Sequence, residues 1–495
     1  RTIGTSDSAR TGVLARVSVS EMETLGVPCC DRSLLPCASS PTADQKVVRL
    51  LGTDPTVRDV YMRRVLMLSP HFPPDSNAAT HRVRLLAPHL PEYGWDPIVV
   101  TAEPAGYEGR LDAALETLVP PSLRVVRCQA WSPRWTRRAG IGDLGLRLLV
   151  PALRTCAALV RRERIDAVFI TTYPIYTAAI GPMLKRAYGV PYVVDLQDPW
   201  VGAWGREVGG GPGGEPDPKS RLTRAIAARL ERPVLSGAAA ITAVSARTYE
   251  DVFDRWPSLR GRPSAAIPIG VEPSDFEAVR VGRWTPHFDP ADGLVHVCSV
   301  GTILPMGVDV VRAVVKALAD LRRRCPQVAG RLRVHFFGTS NERGAMAADR
   351  VRPLAEAAGV GDLVTEHAAR VDYLEAVRIQ QSAQAVLLLG STEPHYTASR
   401  LYPALMARRP LLAIYHDASS VVEILRRETR PPTVRIVSFT DREPIGAKSA
   451  LISAALQSLG ECPQYVAGHV SERVIAEYSA RTLAGQLAGV LDRVS

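Results

Sequence analysis

The stretch Arg63–Thr101, RRVLMLSPHFPPDSNAATHRVRLLAPHLPEYGWDPIVVT, decides the fold of this chain. The apolar run from Val65 to Leu68 is typical of a short buried strand, and a Pro-rich turn with small residues follows it. Residues 79–90 then have helical spacing, and residues 97–101 predict a second strand. The folded pattern therefore opens with one β-loop-α-β unit. Ligands of open α/β sheets bind beyond the carboxyl ends of the strands, so we expect the functional site at these tips.

Length and hydropathy narrow the class of protein. A chain of 495 residues is too long for one ordinary core, so two or three domains are expected. The sequence has no run of about twenty apolar residues, which a membrane-spanning helix needs. The N-terminus lacks the apolar core of a secretory signal peptide. We therefore expect a cytoplasmic globular enzyme.

The net charge of +10 leaves three classes of partner: nucleic acid, an anionic membrane and an anionic substrate. Aromatic residues make up 6% of the chain, and no stretch resembles a nucleic-acid-binding module, so no nucleic-acid partner is expected. We favour an anionic small molecule, with a possible peripheral contact to the inner face of the plasma membrane. Two tryptophans and several arginines in 131–138 suit that contact, although a solvated basic face next to a packed helix explains them equally.

The cysteines and acidic residues do not predict a metal site. The eight cysteines are scattered, and the group Cys29, Cys30 and Cys37 lacks zinc-ligand spacing. No DxD-type pair of acids stands at a predicted strand end. We therefore expect neither a bound metal nor a cofactor.

Alternating strands and helices predict two parallel, doubly wound sheets. Residues 1–61 differ from the rest, and they are either a non-native leader before a natural start at Met62 or a disordered tail. An interdomain linker is expected at 273–293. The predicted divisions are a leader at 1–61, an N-terminal Rossmann-like domain at 62–280, a C-terminal one at 281–470 and a closing helix at 471–495. Two such domains leave a cleft between their carboxyl edges, which is the default binding site.

Several of these strand ends resemble the GT-B glycosyltransferases, in particular glycosyltransferase family 4. The loop SPHFPPDSNAATHR (69–82) resembles the first loop of that family, and YTASRLYPALMARRPLLAIYH (396–416) resembles the block after its donor site. The segments ITAVS, IPIGVE, SVGT and VHFFG resemble its recurring strand ends. The resemblance covers about 63–494. It implies a GT-B fold and transfer of a sugar from a nucleotide-diphosphate sugar, usually with retention and without a metal, here in bacterial polysaccharide or glycolipid assembly.

The chain departs from the family at several functional positions. Matching PALMARRP to the family helix puts His395 and Pro403 where two glutamates usually stand. Thr302 follows the first C-terminal strand, where the family has cations for the pyrophosphate, and Gln197 replaces a histidine. These departures leave other functions open: a catalytically weakened GT-B protein that binds nucleotide-sugar or a partner enzyme, a sugar-nucleotide epimerase, or a scaffold.

The resemblance and the chemistry of a diphosphate together suggest site residues. A diphosphate needs backbone N–H groups and one or two cations, and Arg400 is the best candidate cation because guanidinium binds phosphate in a bidentate manner. Asp198 follows a buried strand and could orient or deprotonate the acceptor, whereas Asp195 is more suited to a structural role. The predicted donor-binding residues are Gly301, Thr302, Gly338, Glu393, Thr397, Ser399 and Arg400. The predicted acceptor-binding residues are Ser69, His71, His81 and Arg82, and the predicted catalytic residues are Asp198 and Gln197.

Overall fold

The computed structural model describes residues 62–109, 111–201, 218–281, 284–340, 347–392 and 399–495. The predicted leader at 1–61 and the cluster Cys29, Cys30 and Cys37 lie outside these ranges. Residues from Tyr61 to Ser495 form one compact unit, which contains both predicted Rossmann-like domains.

The N-terminal domain is built on a parallel sheet of seven strands in the order β3-β2-β1-β4-β5-β6-β7. The central strands are mostly apolar, as expected where helices cover both faces of a sheet. The order reverses between β1 and β4, and this switch point opens a crevice at the carboxyl edge. The strands are β1 Arg63–Leu68, β2 Trp95–Ala102, β3 Arg124–Cys128, β4 Ala167–Thr171, β5 Tyr192–Leu196, β6 Ala240–Ala243 and β7 Ser264–Ala266.

The C-terminal domain has a parallel sheet of six strands in the order β10-β9-β8-β11-β12-β13. Its order reverses between β8 and β11, so the second crevice lies beyond the ends of these two strands. The prediction of two doubly wound parallel sheets is therefore confirmed. The strands are β8 Val295–Val300, β9 Leu332–Phe337, β10 Val364–His367, β11 Ala385–Leu389, β12 Leu411–His416 and β13 Val434–Phe439.

Seventeen α-helices lie in the described ranges, and most connect one strand to the next. Those before β8 are α1 Thr80–Leu86, α2 Ala113–Thr117, α3 Pro133–Thr136, α4 Leu144–Arg162, α5 Ile180–Tyr188, α6 Pro218–Gly237, α7 Ala246–Arg255 and α8 Pro273–Val281. Those after β8 are α9 Val308–Arg324, α10 Pro326–Arg331, α11 Arg352–Ala357, α12 Tyr373–Ser382, α13 Leu401–Met406, α14 Ser420–Glu428, α15 Ser449–Glu461, α16 Glu472–Glu477 and α17 Ala480–Asp492.

Two predicted elements differ from the structure. The predicted linker at 273–293 contains α8, because Phe276 and Val279 are buried in an apolar cluster of the C-terminal domain. The predicted closing helix at 471–494 is interrupted at Tyr478, and Ser479 starts α17 by accepting a hydrogen bond from the backbone N–H of Thr482.

The last helix returns to the N-terminal domain. On one face of α17, Leu483, Leu487 and Leu491 join the cluster that covers Val65 and Met67 of β1. Residues at the far end of the chain therefore complete the core at its beginning. This return holds the N-terminal sheet beneath the cleft.

Candidate functional site

A cavity of about 390 Å³ lies where the carboxyl edges of the two sheets face each other. Both domains line it, as expected for a crevice at the two switch points. The N-terminal wall includes Ser76, Ala78, His81, Leu85 and Ile269. The C-terminal wall includes Gly301, Thr302, Leu304, Gly338, Arg370, Tyr373, Ser399, Arg400 and Pro403.

Arg400 lies over the loop that follows β8. Its guanidinium donates to the carbonyl oxygens of Thr302, at 3.2 Å, and of Val300, at 3.4 Å. Gly301 has φ +125°, and a Cβ at this position would stand 2.8 Å from Nη1 of Arg400. Glycine is therefore required both by the backbone conformation and by the space that the guanidinium occupies. The predicted donor residues Gly301, Thr302 and Arg400 come together in one wall.

A second guanidinium, that of Arg370, lines the cavity from the end of β10. Its Nη2 donates to the carbonyl oxygen of Ser76 at 2.6 Å, so this side chain crosses from the C-terminal to the N-terminal domain. Gly338 has φ +69°, and a Cβ there would lie 3.8 Å from Cα of Arg370. Arg370 was not among the predicted site residues. Its position three residues after β10 could have indicated this placement, because residues just beyond strand ends lie at the edge where ligands bind.

The charges on the cavity wall have one sign. Among the described lining residues, Arg370 and Arg400 are cationic, and none carries a carboxylate. Two guanidinium groups suit an anionic oxygen-rich ligand. The lining includes Ser399, whereas Glu393 and Thr397 lie outside the described residues. Pro403, which stands where the family has a glutamate, contributes an apolar contact to the wall.

His81 faces the cavity from α1 of the N-terminal domain. Its ring packs against the ring of Tyr373, with centroids 4.5 Å apart. Burial lowers the pKa of His81 well below its usual value, and the charges of Arg84 and Arg370 lower it further. The imidazole is therefore neutral across the physiological range. This placement is compatible with the predicted ligand contact of His81.

Arg82 does not contact the cavity, which corrects its predicted role at the acceptor. Its side chain is 1% exposed and forms a double ion pair with Asp195 at the end of β5, with Nε–Oδ2 at 2.9 Å and Nη2–Oδ1 at 2.5 Å. Thr242 of β6 donates to the same carboxylate at 2.7 Å. The pair joins α1 to the centre of the sheet. Arg82 and Asp195 are thus structural residues.

Ser69 and His71 form a separate part of the N-terminal edge, outside the cavity. The hydroxyl of Ser69 is buried and donates to the carbonyl oxygen of His71 at 2.8 Å. Nδ1 of His71 lies 2.5 Å from Oδ2 of Asp75, and the His71 ring lies 5.5 Å from that of Tyr173. Ser69 therefore supports the loop, whereas His71 is held by Asp75 beside Tyr173.

Asp198 and Gln197 belong to the same N-terminal edge and are absent from the described lining of the cavity. Burial raises the pKa of Asp198. Burial raises the pKa of Tyr173, and the charge of Asp198 raises it further. Gln197 is buried, and its Nε2 has no hydrogen-bond partner. His71 and Tyr173 are neighbours at this edge, and Gln197 and Asp198 directly follow the end of β5.

No group of three or more His, Cys, Asp or Glu side chains in the described ranges could hold a metal ion. None of the helices described here is both long and apolar enough to cross a bilayer.

Part of the chain matches a known protein family. Residues 77–269 match the family described as "Glycosyl transferase 4-like domain". They contain α1, Tyr173, Gln197 and Asp198. The predicted resemblance to GT-B glycosyltransferases is thus confirmed, and the match supports the prediction of a glycosyltransferase. No curated protein sequence matches the chain.

Solved structures share the fold at low sequence identity. HepE of Anabaena, crystallised with UDP-glucose, is 14% identical, with 87% of this chain and 99% of that chain covered and a TM-score of 0.54. The UDP-forming α,α-trehalose-phosphate synthase of Burkholderia vietnamiensis is 13% identical, with 88% and 99% covered and a TM-score of 0.56. A trehalose-6-phosphate enzyme of E. coli, bound to UDP-2-fluoro glucose, is 13% identical, with 87% and 99% covered and a TM-score of 0.54. These similarities confirm the GT-B fold.

Proposed function

We propose that this chain transfers a sugar from a nucleoside-diphosphate sugar to a hydroxyl of a saccharide or lipid-linked acceptor. The observation that carries this proposal is the cavity between the two carboxyl edges, whose described wall has Arg370 and Arg400 and no carboxylate. Two guanidinium groups can neutralise much of the charge of a diphosphate. HepE and the E. coli enzyme bind UDP-sugars, so a UDP-sugar is the first donor to test.

The proposed reaction retains the anomeric configuration and uses no metal. When the bond between the sugar and the diphosphate breaks, negative charge develops on the leaving phosphate. Arg370 and Arg400 would stabilise this charge better than the ground state, which is how preorganised cations accelerate a reaction. The leaving phosphate would take the proton of the attacking hydroxyl on the same face of the sugar. A strong protein base is then unnecessary.

The acceptor is proposed to bind at the N-terminal edge that carries His71, Tyr173, Gln197 and Asp198. The amide of Gln197 has a free Nε2 hydrogen-bond donor for an acceptor oxygen. We assign Asp198 and Gln197 to orienting the acceptor hydroxyl. The wider role is polysaccharide or glycolipid assembly in the cytoplasm.

A peripheral contact with an anionic membrane extends this proposal. Trp135 is 69% exposed, and the guanidinium of Arg138 lies 4.9 Å from the centroid of its ring. Arg147 ties this segment to the N-terminal edge, because it donates to the carbonyl oxygens of Trp131 and Gly106. Exposed tryptophan and arginine side chains are typical of proteins that bind anionic lipid surfaces.

The second candidate is a catalytically weakened protein that binds nucleotide-sugar without turning it over. Pro403 favours this alternative, since it lines the cavity where related enzymes have a glutamate. A turnover assay separates the two functions. Released UDP, measured with UDP-sugars and a panel of saccharide and lipid-linked acceptors, indicates transfer, whereas binding without release indicates the weakened protein.

The donor site is tested by thermal shift with UDP and UDP-glucose. Ligands that bind the folded state raise its stability by RT ln(1 + [L]/Kd). We expect Arg400→Gln to weaken binding by about tenfold to a hundredfold, because hydrogen bonds to charged groups contribute about 1.5–3 kcal/mol. Arg331→Gln is the matched control, since Arg331 is exposed and directly precedes the amino end of β9. Equal binding by both variants would contradict the assignment of Arg400.

A further inference from the structure

The hydrogen bond between Arg84 and His81 determines which ring nitrogen of His81 carries the proton. Nε of Arg84 lies 3.3 Å from Nδ1 of His81. A guanidinium has donors and no acceptor, so Nδ1 must offer its lone pair. In the neutral imidazole the proton is therefore on Nε2. This remaining N–H belongs to a ring that lines the cavity.

Arg84 cannot easily turn away from His81, because its other nitrogens are occupied. Nη1 and Nη2 bind the two carboxylate oxygens of Asp275 at 3.1 and 2.8 Å, and both side chains are buried. The hydroxyl of Tyr373 donates to Asp275 at 2.7 Å. The Arg84 guanidinium also lies 5.1 Å from the centroid of the Tyr373 ring. The fork geometry of the pair thus fixes the direction of Nε.

We infer that His81 presents Nε2–H as a fixed hydrogen-bond donor to an oxygen of the nucleotide-sugar in the cavity, and that Arg84 is the positioning residue that sets this tautomer. The identity of the ligand rests on the proposed function. The tautomer rests on the geometry alone. His81 would act from the N-terminal domain, opposite the cationic wall formed by Arg370 and Arg400.

The same contacts keep Nε2–H of His81 available as a hydrogen-bond donor when the pH changes. Protonation of Nδ1 would break the hydrogen bond from Arg84 and would set two cations against each other. The charged or titratable groups that face the ring are Arg84 on the same helix, Arg370 after β10 and Tyr373 at the start of α12, and Asp275 on α8 neutralises Arg84. His81 should therefore remain a neutral donor while an exposed histidine titrates near pH 6.5.

Two-dimensional ¹H–¹⁵N NMR of the full chain, labelled at its ten histidines, tests the tautomer without any ligand. The signals of His81 are assigned by their absence in His81→Gln. We expect an unprotonated Nδ1 and a protonated Nε2 from pH 8 to pH 5. In Arg84→Lys, which keeps the charge and removes Nε, we expect mixed tautomers. A titration of wild-type His81 near pH 6.5, or a proton on Nδ1, would overturn the inference.

Calorimetric titration with UDP-glucose tests the contact with the ligand. His81→Ala should weaken binding about tenfold, the size expected for one hydrogen bond to a charged or polar oxygen. His81→Gln retains an N–H donor on a side chain of similar reach and should recover most of the affinity. Unchanged affinity in His81→Ala would overturn the contact. If the wild-type protein bound no nucleotide-sugar, the proposed function would fail, and the NMR spectrum would still decide the tautomer.

Discussion

At the scale of single residues, the glycine at position 301 has two separate reasons to be glycine. Its φ of +125° excludes most side chains, and its missing Cβ leaves room for the guanidinium of Arg400. Gly293 has only the first reason, because its φ is +82° and a Cβ there would meet no atom within 4 Å. Substitutions at the two positions therefore distinguish the effect of backbone strain from the effect of displacing Arg400.

We predict that Gly301→Ala and Gly293→Ala each lower the free energy of unfolding by about 1–3 kcal/mol, the cost of holding alanine at positive φ. Only Gly301→Ala should also weaken UDP binding, since its Cβ displaces the guanidinium of Arg400. Urea unfolding measures the first effect and calorimetry the second. The same UDP affinity in both variants would show that Arg400 does not need its present position.

At the scale of elements, β9 carries a histidine that is costly to protonate. His335 stacks on Phe288, with centroids 4.8 Å apart, and its Nε2 lies 2.9 Å from Nδ1 of His296. Its Nδ1 is buried without a hydrogen-bond partner. Burial lowers the pKa of His335 to about 3, and nearby His296, His367 and Arg333 act in the same direction. The neutral ring is therefore part of the C-terminal core.

This lowered pKa predicts that the protein loses stability in acid. In the unfolded chain His335 binds a proton near pH 6.5, whereas in the folded chain it stays neutral down to about pH 3. The contribution of neutral His335 to the free energy of unfolding is complete above pH 6.5. It is lost as the pH falls from 6.5 towards 3, by up to about 1.4 kcal/mol per pH unit. Urea unfolding at pH 7 and pH 5 measures it.

The control for this prediction is His335→Gln, which keeps a polar side chain and removes the titration. We expect the drop in stability between pH 7 and pH 5 to be smaller in the variant by about 2 kcal/mol. Should wild type and variant lose the same amount, the acid sensitivity must come from other groups.

At the scale of the whole molecule, the end of the chain stabilises its beginning. Leu487 of α17 is fully buried against the N-terminal sheet, and Asp492 accepts a hydrogen bond from Nε1 of Trp95 at 2.9 Å. We predict that Leu487→Ala lowers the free energy of unfolding by about 2–5 kcal/mol, as for other buried leucines. The exposed neighbour Gln486, changed to alanine, should alter it little.

Hydrogen exchange shows which domain depends on Leu487. Because α17 packs on β1 and its neighbours, Leu487→Ala should accelerate exchange in β1 and β2 more than in β8 and β9. Faster exchange confined to the C-terminal sheet would contradict this assignment of the helix.

The alternation of apolar runs and helical segments in the sequence predicts the two parallel sheets, because local periodicity indicates which faces are buried. The sequence also predicts the position of the site, because parallel strands end at one edge of a sheet and the loops at that edge carry the ligand contacts. The prediction of Gly301 and Arg400 rests in addition on the resemblance to glycosyltransferase family 4 and on the chemistry of a diphosphate.

The tertiary structure decided which side chains reach the ligand cavity. Arg82 and His81 are neighbours in the sequence, yet one is buried against Asp195 and the other lines the cavity. Arg370 meets Ser76, 294 residues away, only because the two sheets face each other. Sequence periodicity describes one helix or strand at a time. The ion pairs, the tautomer of His81 and the charge of the cavity wall depend on residues that folding brings together from distant parts of the chain.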